Sequence, residues 1–280
     1  MLTDRSFIES PLIAFLSDYG TVDEFAGVCR AVMLERTPTA RIVDLTHSIA
    51  RHDVRAGALA LESAAPYLKA QAICAVVDPE VGGHRRAIAI ESAAGTVLVG
   101  PDNGLLMPAA DRLGGVIDVV EISRSKYRRE PVSQTFHGRD IFAPVAAELA
   151  SGLPLREAGD PMAKEELSSF ERQAARVAPG LLAAAAEAVD TFGNVRLAAS
   201  SIDLRTAEIG LGDGILIRAG DEERVARYVL TFSDVAPGAT AVYEDASSAV
   251  AIAVNTGDAA MELKITPGDE IELRSTDRRN

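Results

Sequence analysis

At 280 residues the chain exceeds the usual span of one domain, about 100 to 200 residues, so two domains are the first expectation. Hydrophobic residues make up 48% with no Trp and only 5% aromatics, which predicts a core of small and β-branched side chains. A formal net charge of −13 argues against nucleic acid, because phosphate binding needs clustered Lys and Arg, and favours a cationic or zwitterionic small molecule.

The run PLIAFLS at Pro11 to Ser17 reads as a buried strand ending in Asp-Tyr-Gly, and helical spacing of apolar residues follows from Val22 to Glu35. The pattern then repeats: RIVDLT from Arg41 to Thr46, an Ala and Leu stripe from Asp53 to Leu68, and QAICAVV from Gln71 to Val77. Alternating βαβαβ implies a mainly parallel sheet with right-handed crossovers. After Asp78, RRAIAIE and TVLVG read as two strands joined by a short turn, followed by a helix near Asn103 to Leu113 and the strand VIDVVEI. A helix is expected from Arg139 to Gly152, with Asp140 near its start and Gly152 past its end.

The charged stretch from Asp160 to Ala178 reads as a partly helical linker. Beyond it, LLAAAAEAVD, NVRLAA, GILIRA, RYVLTF, TAVYED, AVAIAVN and DEIEL are short runs separated by turn signals such as Asp-Gly and Pro-Gly. Closely spaced strands without long helices suggest a small antiparallel barrel or sandwich. The fold expected is α/β, with an N-terminal mainly parallel α/β sandwich domain at 1–160, a linker at 161–179, and a smaller C-terminal antiparallel β-barrel-like domain at 180–280. Cys29 and Cys74 fall in core-like stretches and read as inert thiols, which suits the cytoplasm. The opening MLTDRSFIES has no basic segment before an apolar run, and no apolar stretch reaches the roughly 18 residues of a spanning helix, so a soluble, unexported protein without membrane partners is expected.

Three polar groups carry the strongest chemical signal: Asp78 in VVDPEVGG, Arg85 in HRR, and His137 in TFHGRD. An acid, a permanent cation and an imidazole can hold one water beside an electrophile, the cation favouring hydroxide character. Without partners, the Asp78 segment reads as a tight turn with a solvated Arg pair. Asp18, Asp44 and Asp78 each fall at or just past the carboxyl end of a predicted parallel strand, where open α/β sheets gather ligands. Asp18 is suited to a ribose diol, with an Asx turn or helix cap as the equal alternative. Neither G-x-G-x-x-G nor a P-loop follows the first strand, so a nucleoside without a phosphate chain is the more natural guest.

Gly138 lets a ligand approach the backbone near a helix start. In VDTFGN, Asn194 could read a purine edge and Phe192 could stack on the base, the alternative being a hairpin turn with a core Phe. Phe232 in TFSDVAPG offers a second aromatic with the same alternative. A metal reading on His47, His52 and Asp53 lacks a compact spacing motif, and neither metal nor organic cofactor is expected.

With SDYGTVDEFAG, IVDLTH, VVDPEVGGHRR, VGPDNGLL, TFHGRDIFAPVAAELASG, VDTFGN and AIAVNTGDAA in this order, nearly the whole chain resembles the S-adenosyl-L-methionine hydrolase family. These enzymes are also called hydroxide adenosyltransferases and are related to fluorinases and chlorinases. The resemblance implies an α/β N-terminal domain, a barrel-like C-terminal domain, and a homotrimer whose active sites lie between subunits. It matches Asp78, Arg85 and His137 to the family's Asp-Arg-His set and Asp18 to its ribose-binding acid. By the same resemblance Asp23 and Asp190 contact the methionine part, Phe192, Asn194 and Phe232 surround adenine, and Tyr243 and Ser247 lie near the amino-acid end. Two positions depart from the family: Glu80 follows Asp-Pro where Gly is common, and Ser247-Ser248 stands where Ser-Gly is usual.

The implied reaction is in-line attack of water on ribose C5′, releasing adenosine and L-methionine. The sulfonium leaves as a neutral thioether, so catalysis works on the nucleophile. His137 or an Arg85-stabilised hydroxide is favoured over Asp78 as sole base. A halogenase is the nearest rival, but the fluorinases carry Tyr at the position of Asp78 and Ser at that of Gly138, and a carboxylate repels halide. They also carry a longer insertion between the strands matching RRAIAIE and TVLVG. A non-catalytic adenosine or S-adenosylmethionine sensor would have no need of all three groups. A methyltransferase would need a Gly-rich turn after the first strand.

Overall fold

A computed structural model describes residues 10–277. The first nine residues, on which the unexported reading partly rests, lie outside that range. Among the described residues no helix is long and apolar enough to cross a membrane. The chain divides after Phe170 into two compact units.

The first unit holds β1 (Leu12–Ser17), α1 (Phe25–Arg36), β2 (Arg41–Thr46), α2 (Val54–Ala64), β3 (Ala72–Val76), β4 (Ala87–Ser92), β5 (Val97–Pro101), α3 (Met107–Arg112), β6 (Val116–Glu121), α4 (Ala143–Ala150), α5 (Leu155–Ala158) and the two-residue β7 (Asp160–Pro161). Its seven strands run β2-β1-β3-β5-β4-β6-β7. The first four are mutually parallel, while β4, β6 and β7 pair antiparallel, so the sheet is mixed. Period-two alternation sends Ile13 and Phe15 into a core with α1 and α4, and Ala14 and Leu16 into a core with α2 and α3. Burial on both faces is why β1 reads as an unbroken apolar run.

Helix ends follow local chemistry. The Asp53 carboxylate accepts the Ala56 N–H and caps α2, which stops at Ala64 because Pro66 starts a single 3₁₀ turn. The helix expected from Asn103 begins only at Met107. The one expected from Arg139 opens with a wide turn over Gly138–Phe142, where the Ala143 N–H bonds back to the Gly138 carbonyl, before α4 takes over.

The second unit comprises β8 (Arg176–Ala178), β9 (Leu181–Val189), β10 (Val195–Ser200), α6 (Ser201–Thr206), β11 (Gly214–Ala219), β12 (Glu222–Tyr228), β13 (Thr240–Glu244), β14 (Ala249–Val254), α7 (Ala259–Leu263) and β15 (Glu270–Ser275). The order β10-β14-β13-β12-β11-β15-β9 closes through a β9–β10 pairing into a seven-stranded barrel, with β8 added on β9. Small side chains such as Ala184, Ala186 and Ala226 share its core with Ile215, Ile217 and Ile252. One pairing departs from an antiparallel plan: β12 and β13 are parallel. The segment expected to be strand through Phe232 ends as strand at Tyr228, and the chain then crosses over, turning at a Thr231 that caps Phe232–Asp234. Two short helices, α6 and α7, also sit among the strands.

Candidate active site

Parallel pairing of β1 with β3 sets Ser17 beside Val76, so the loops carrying Asp18 and Asp78 leave the sheet at neighbouring carboxyl ends. The loop after Asp78 is pressed against a second segment: Gly82 has φ +76°, and a Cβ there would lie 2.2 Å from the Gln134 carbonyl oxygen. That approach brings His137 and Gly138, at the head of the wide turn, alongside Asp78. A cavity of about 460 Å³ results, lined by Asp18, Asp23, Asp78, His137 and Gly138, with Tyr19 and Arg51 among its other walls.

Arg85 holds this constellation from behind. Its side chain is only 4% exposed and is not part of the cavity lining. Arg85 Nε donates to Asp78 Oδ1 at 2.9 Å and to Oδ2 at 3.1 Å, Nη2 also reaches Oδ2, and the cation lies 5.1 Å from the centre of the Phe142 ring. Nη2 also sits 2.7 Å from His137 Nδ1. Arginine can only donate, so Nδ1 accepts and the neutral imidazole carries its proton on Nε2. Burial first, then the Arg85 charge, lower the His137 pKa from the ordinary 6.5, outweighing the opposite pull of Asp78 and Asp140. The imidazole therefore meets the cavity as a donor, and Asp78 is the acceptor beside it.

A second network fixes the Asp18 loop. His47, 6% exposed, bonds the fully buried Ser17 hydroxyl through Nδ1 at 2.7 Å and Asp44 through Nε2 at 3.0 Å. Asp44 is ion-paired with Arg30, Ser17 Oγ accepts the Tyr19 N–H, and the His47 carbonyl accepts the Gly20 N–H. One Asp18 oxygen accepts the His52 N–H at 2.9 Å, and among the described residues the other accepts no hydrogen bond. Asp44, expected in a row of cavity carboxylates, is thus spent on bracing, because it lies within β2 opposite Phe15 rather than beyond the strand end. Among the described residues no group of three or more His, Cys, Asp or Glu converges for a metal, and His47 and Asp53 serve as brace and helix cap.

In the barrel domain a separate cavity of about 730 Å³ gathers Asp190, Phe192, Asn194, Phe232 and Tyr243. The Asp190 carboxylate accepts the backbone N–H groups of Phe192 and Asn194 and the Asn194 side-chain amide, the last at 2.8 Å, so it builds the turn that presents them. Among the described residues the Asn194 side-chain carbonyl and its second N–H stay without a partner and could serve a ligand. Phe192 is 76% exposed, and Phe232 packs edge-on against Tyr243 at 4.9 Å. Ser247 is not part of this lining; its N–H bonds to Asp245, which is.

The sequence reading missed Tyr19 and Arg51 in the first cavity and Leu230, Thr231 and Asn255 in the second. For Tyr19 a signal was present, since it follows Asp18 directly at a strand end. Thr231 and Asn255 fall within TFSDVAPG and AIAVNTGDAA without having been singled out there, while Arg51 and Leu230 carry no local pattern.

Residues 13–159 match the family model of the SAM hydroxide adenosyltransferase N-terminal domain, and residues 185–272 that of its C-terminal domain. A protein of Salinispora tropica named (R)-S-adenosyl-L-methionine hydrolase is 46% identical over 94% of this chain and 98% of its own. One of the same name from Thermus thermophilus is 35% identical over 93% of this chain and 98% of its own. A fluorinase of Actinoplanes sp. is 28% identical over 92% of this chain and 96% of its own. The crystal structure of an uncharacterized conserved protein from Thermotoga maritima superposes with a TM-score of 0.88 at 34% identity, covering 94% of this chain and 99% of that one. With both domain models matched in order and relatives above 30% identity along nearly its whole length, the chain belongs to the SAM hydroxide adenosyltransferase family.

Proposed function

We propose that this protein hydrolyses S-adenosyl-L-methionine to adenosine and L-methionine by in-line attack of water on ribose C5′. The observation that carries the reading is the Arg85-clamped pair of Asp78 and His137 on one cavity wall. Water bound there donates to Asp78 and accepts from the His137 Nε2–H. The new C5′–O bond forms as the C5′–S bond breaks, its electron pair neutralising the sulfonium, and the water's proton passes to Asp78. Arg85 acts through its two partners, fixing the carboxylate in a bidentate grip and the imidazole in one tautomer. This reverses the expectation from sequence that favoured His137 as base: its Nδ1 accepts from Arg85, its Nε2 already carries a proton, and Asp78 is left as the acceptor of the water's proton.

Asp18 holds the ribose through the oxygen that does not accept the His52 N–H, and Asp23 takes the methionine ammonium. Phe192, Asn194 and Phe232 enclose adenine, Asp190 joins Asp23 at the methionine part, and Tyr243 and Ser247 lie near the amino-acid end. Following the family resemblance, we place the active sites between subunits of a homotrimer. The two free, buried cysteines suit the cytoplasm.

Chromatography of an incubation with S-adenosylmethionine, with and without chloride or fluoride, tests the reaction. Adenosine and methionine in both cases support it. A 5′-halogenated adenosine would identify a halogenase, and calorimetric binding without product would identify a sensor.

A further inference from the structure

The ring of Tyr19 is set directly against Gly138. A Cβ built on Gly138 would lie 1.9 Å from Tyr19 Oη and 2.9 Å from Cζ, both below any real carbon contact. Glycine at 138 is thus demanded by the tyrosine rather than by a left-handed backbone, since Gly138 is not among the positive-φ residues. The ring is also enclosed elsewhere: Phe25 stands 6.1 Å away between centroids and Phe136 5.8 Å, and the Tyr19 N–H is tied to Ser17 Oγ. It cannot swing aside without unpacking that cluster. Among the described residues the hydroxyl makes no hydrogen bond, yet Tyr19 lines the cavity that Asp78, His137 and Gly138 share. Burial holds the phenol well above its ordinary pKa, so it stays uncharged.

We infer that Tyr19 is a specificity-determining residue: wedged on Gly138 beside Asp78 and His137, it limits the nucleophile to the size of water. This rests on the hydrolytic reading and adds to it the expectation that larger hydroxylic nucleophiles are shut out. A side chain at 138 could not build the same wall, because the tyrosine already occupies its place.

The test offers methanol as a competing nucleophile in the reaction with S-adenosylmethionine, and quantifies adenosine against 5′-O-methyladenosine. In the ether-forming reaction the methanol oxygen bonds to C5′, the C5′–S pair returns to sulfur, and the hydroxyl proton goes to the group that takes it from water. The wild type should yield adenosine with at most a trace of ether. Tyr19→Leu should raise the ether-to-adenosine ratio at least about tenfold, the usual weight of one extra methyl group at a tight site. An unchanged ratio in active Tyr19→Leu overturns the inference, as does ready ether formation by the wild type. Absence of both products from the wild type is instead failure of the hydrolytic reading.

Thermal unfolding supplies a readout independent of activity. Gly138→Ala should lower the melting temperature of the wild type and lower it much less in the Tyr19→Leu background. Equal losses in both backgrounds would show that the two residues do not share this space.

Discussion

The chemistry proposed here is divided between two side chains that meet the cavity and one that does not. If Asp78 takes the water's proton, Asp78→Asn keeps the shape but removes the acceptor, and kcat should fall about a hundred- to ten-thousand-fold with KM little changed. Steady-state kinetics of the purified variant check this, and a fall below tenfold would move the base elsewhere. The role of His137 depends on its being neutral. Burial and Arg85 lower its pKa, so protonation begins only below the ordinary 6.5, and activity should be kept above that lowered value and lost as pH falls through it. An NMR titration of the His137 ring should give a midpoint under 6.5, moving upward in Arg85→Gln, where one of the two lowering causes is gone. A wild-type midpoint at or above 6.5 would contradict the lowering by burial and Arg85 on which the neutral ring depends.

At the level of elements, the site is made from loops at strand ends, and their rigidity comes from polar braces. The His47 network ties the loop after β1 to the end of β2 through a side-chain bond to Ser17 and a carbonyl bond to Gly20. His47→Ala leaves the fully buried Ser17 hydroxyl short of a partner, at a cost of about 1–3 kcal/mol, and frees the loop that carries Asp18. Urea unfolding should show that loss, and KM should rise several-fold with a smaller change in kcat, because substrate holding rather than proton transfer is disturbed. Unchanged KM would mean that Asp18 is positioned without this brace. Elements of this kind were well marked in the sequence. β1, β2, β3 and the β4–β5 hairpin announce themselves as short apolar runs bounded by Gly, Asp and Pro, whereas the helical stripe read from Asp53 to Leu68 gives way at Pro66 to a 3₁₀ turn after Ala64. The wide turn at Gly138–Phe142 and the parallel β12–β13 pair were not, since both depend on tertiary contacts with no local signature. For the same reason the Asp-Arg-His set was legible while its depth was not: spacing cannot tell that Arg85 is buried behind its partners, or that Asp44 turns toward Arg30 and His47.

At the scale of the whole molecule, each unit carries a cavity of its own. The α/β domain gathers carboxylates suited to a ribose, an ammonium and a nucleophilic water, while the barrel domain offers exposed aromatic surface and amide groups suited to a base. A net charge of −13 adds a long-range attraction for a sulfonium substrate, weak beside these local contacts. In the proposed reaction an oxygen from solvent becomes the 5′-hydroxyl. The most direct measurement is mass spectrometry of adenosine formed from S-adenosylmethionine in isotopically labelled water. The label should appear in the 5′-hydroxyl of every adenosine released; adenosine without label at that position would contradict water as the attacking nucleophile.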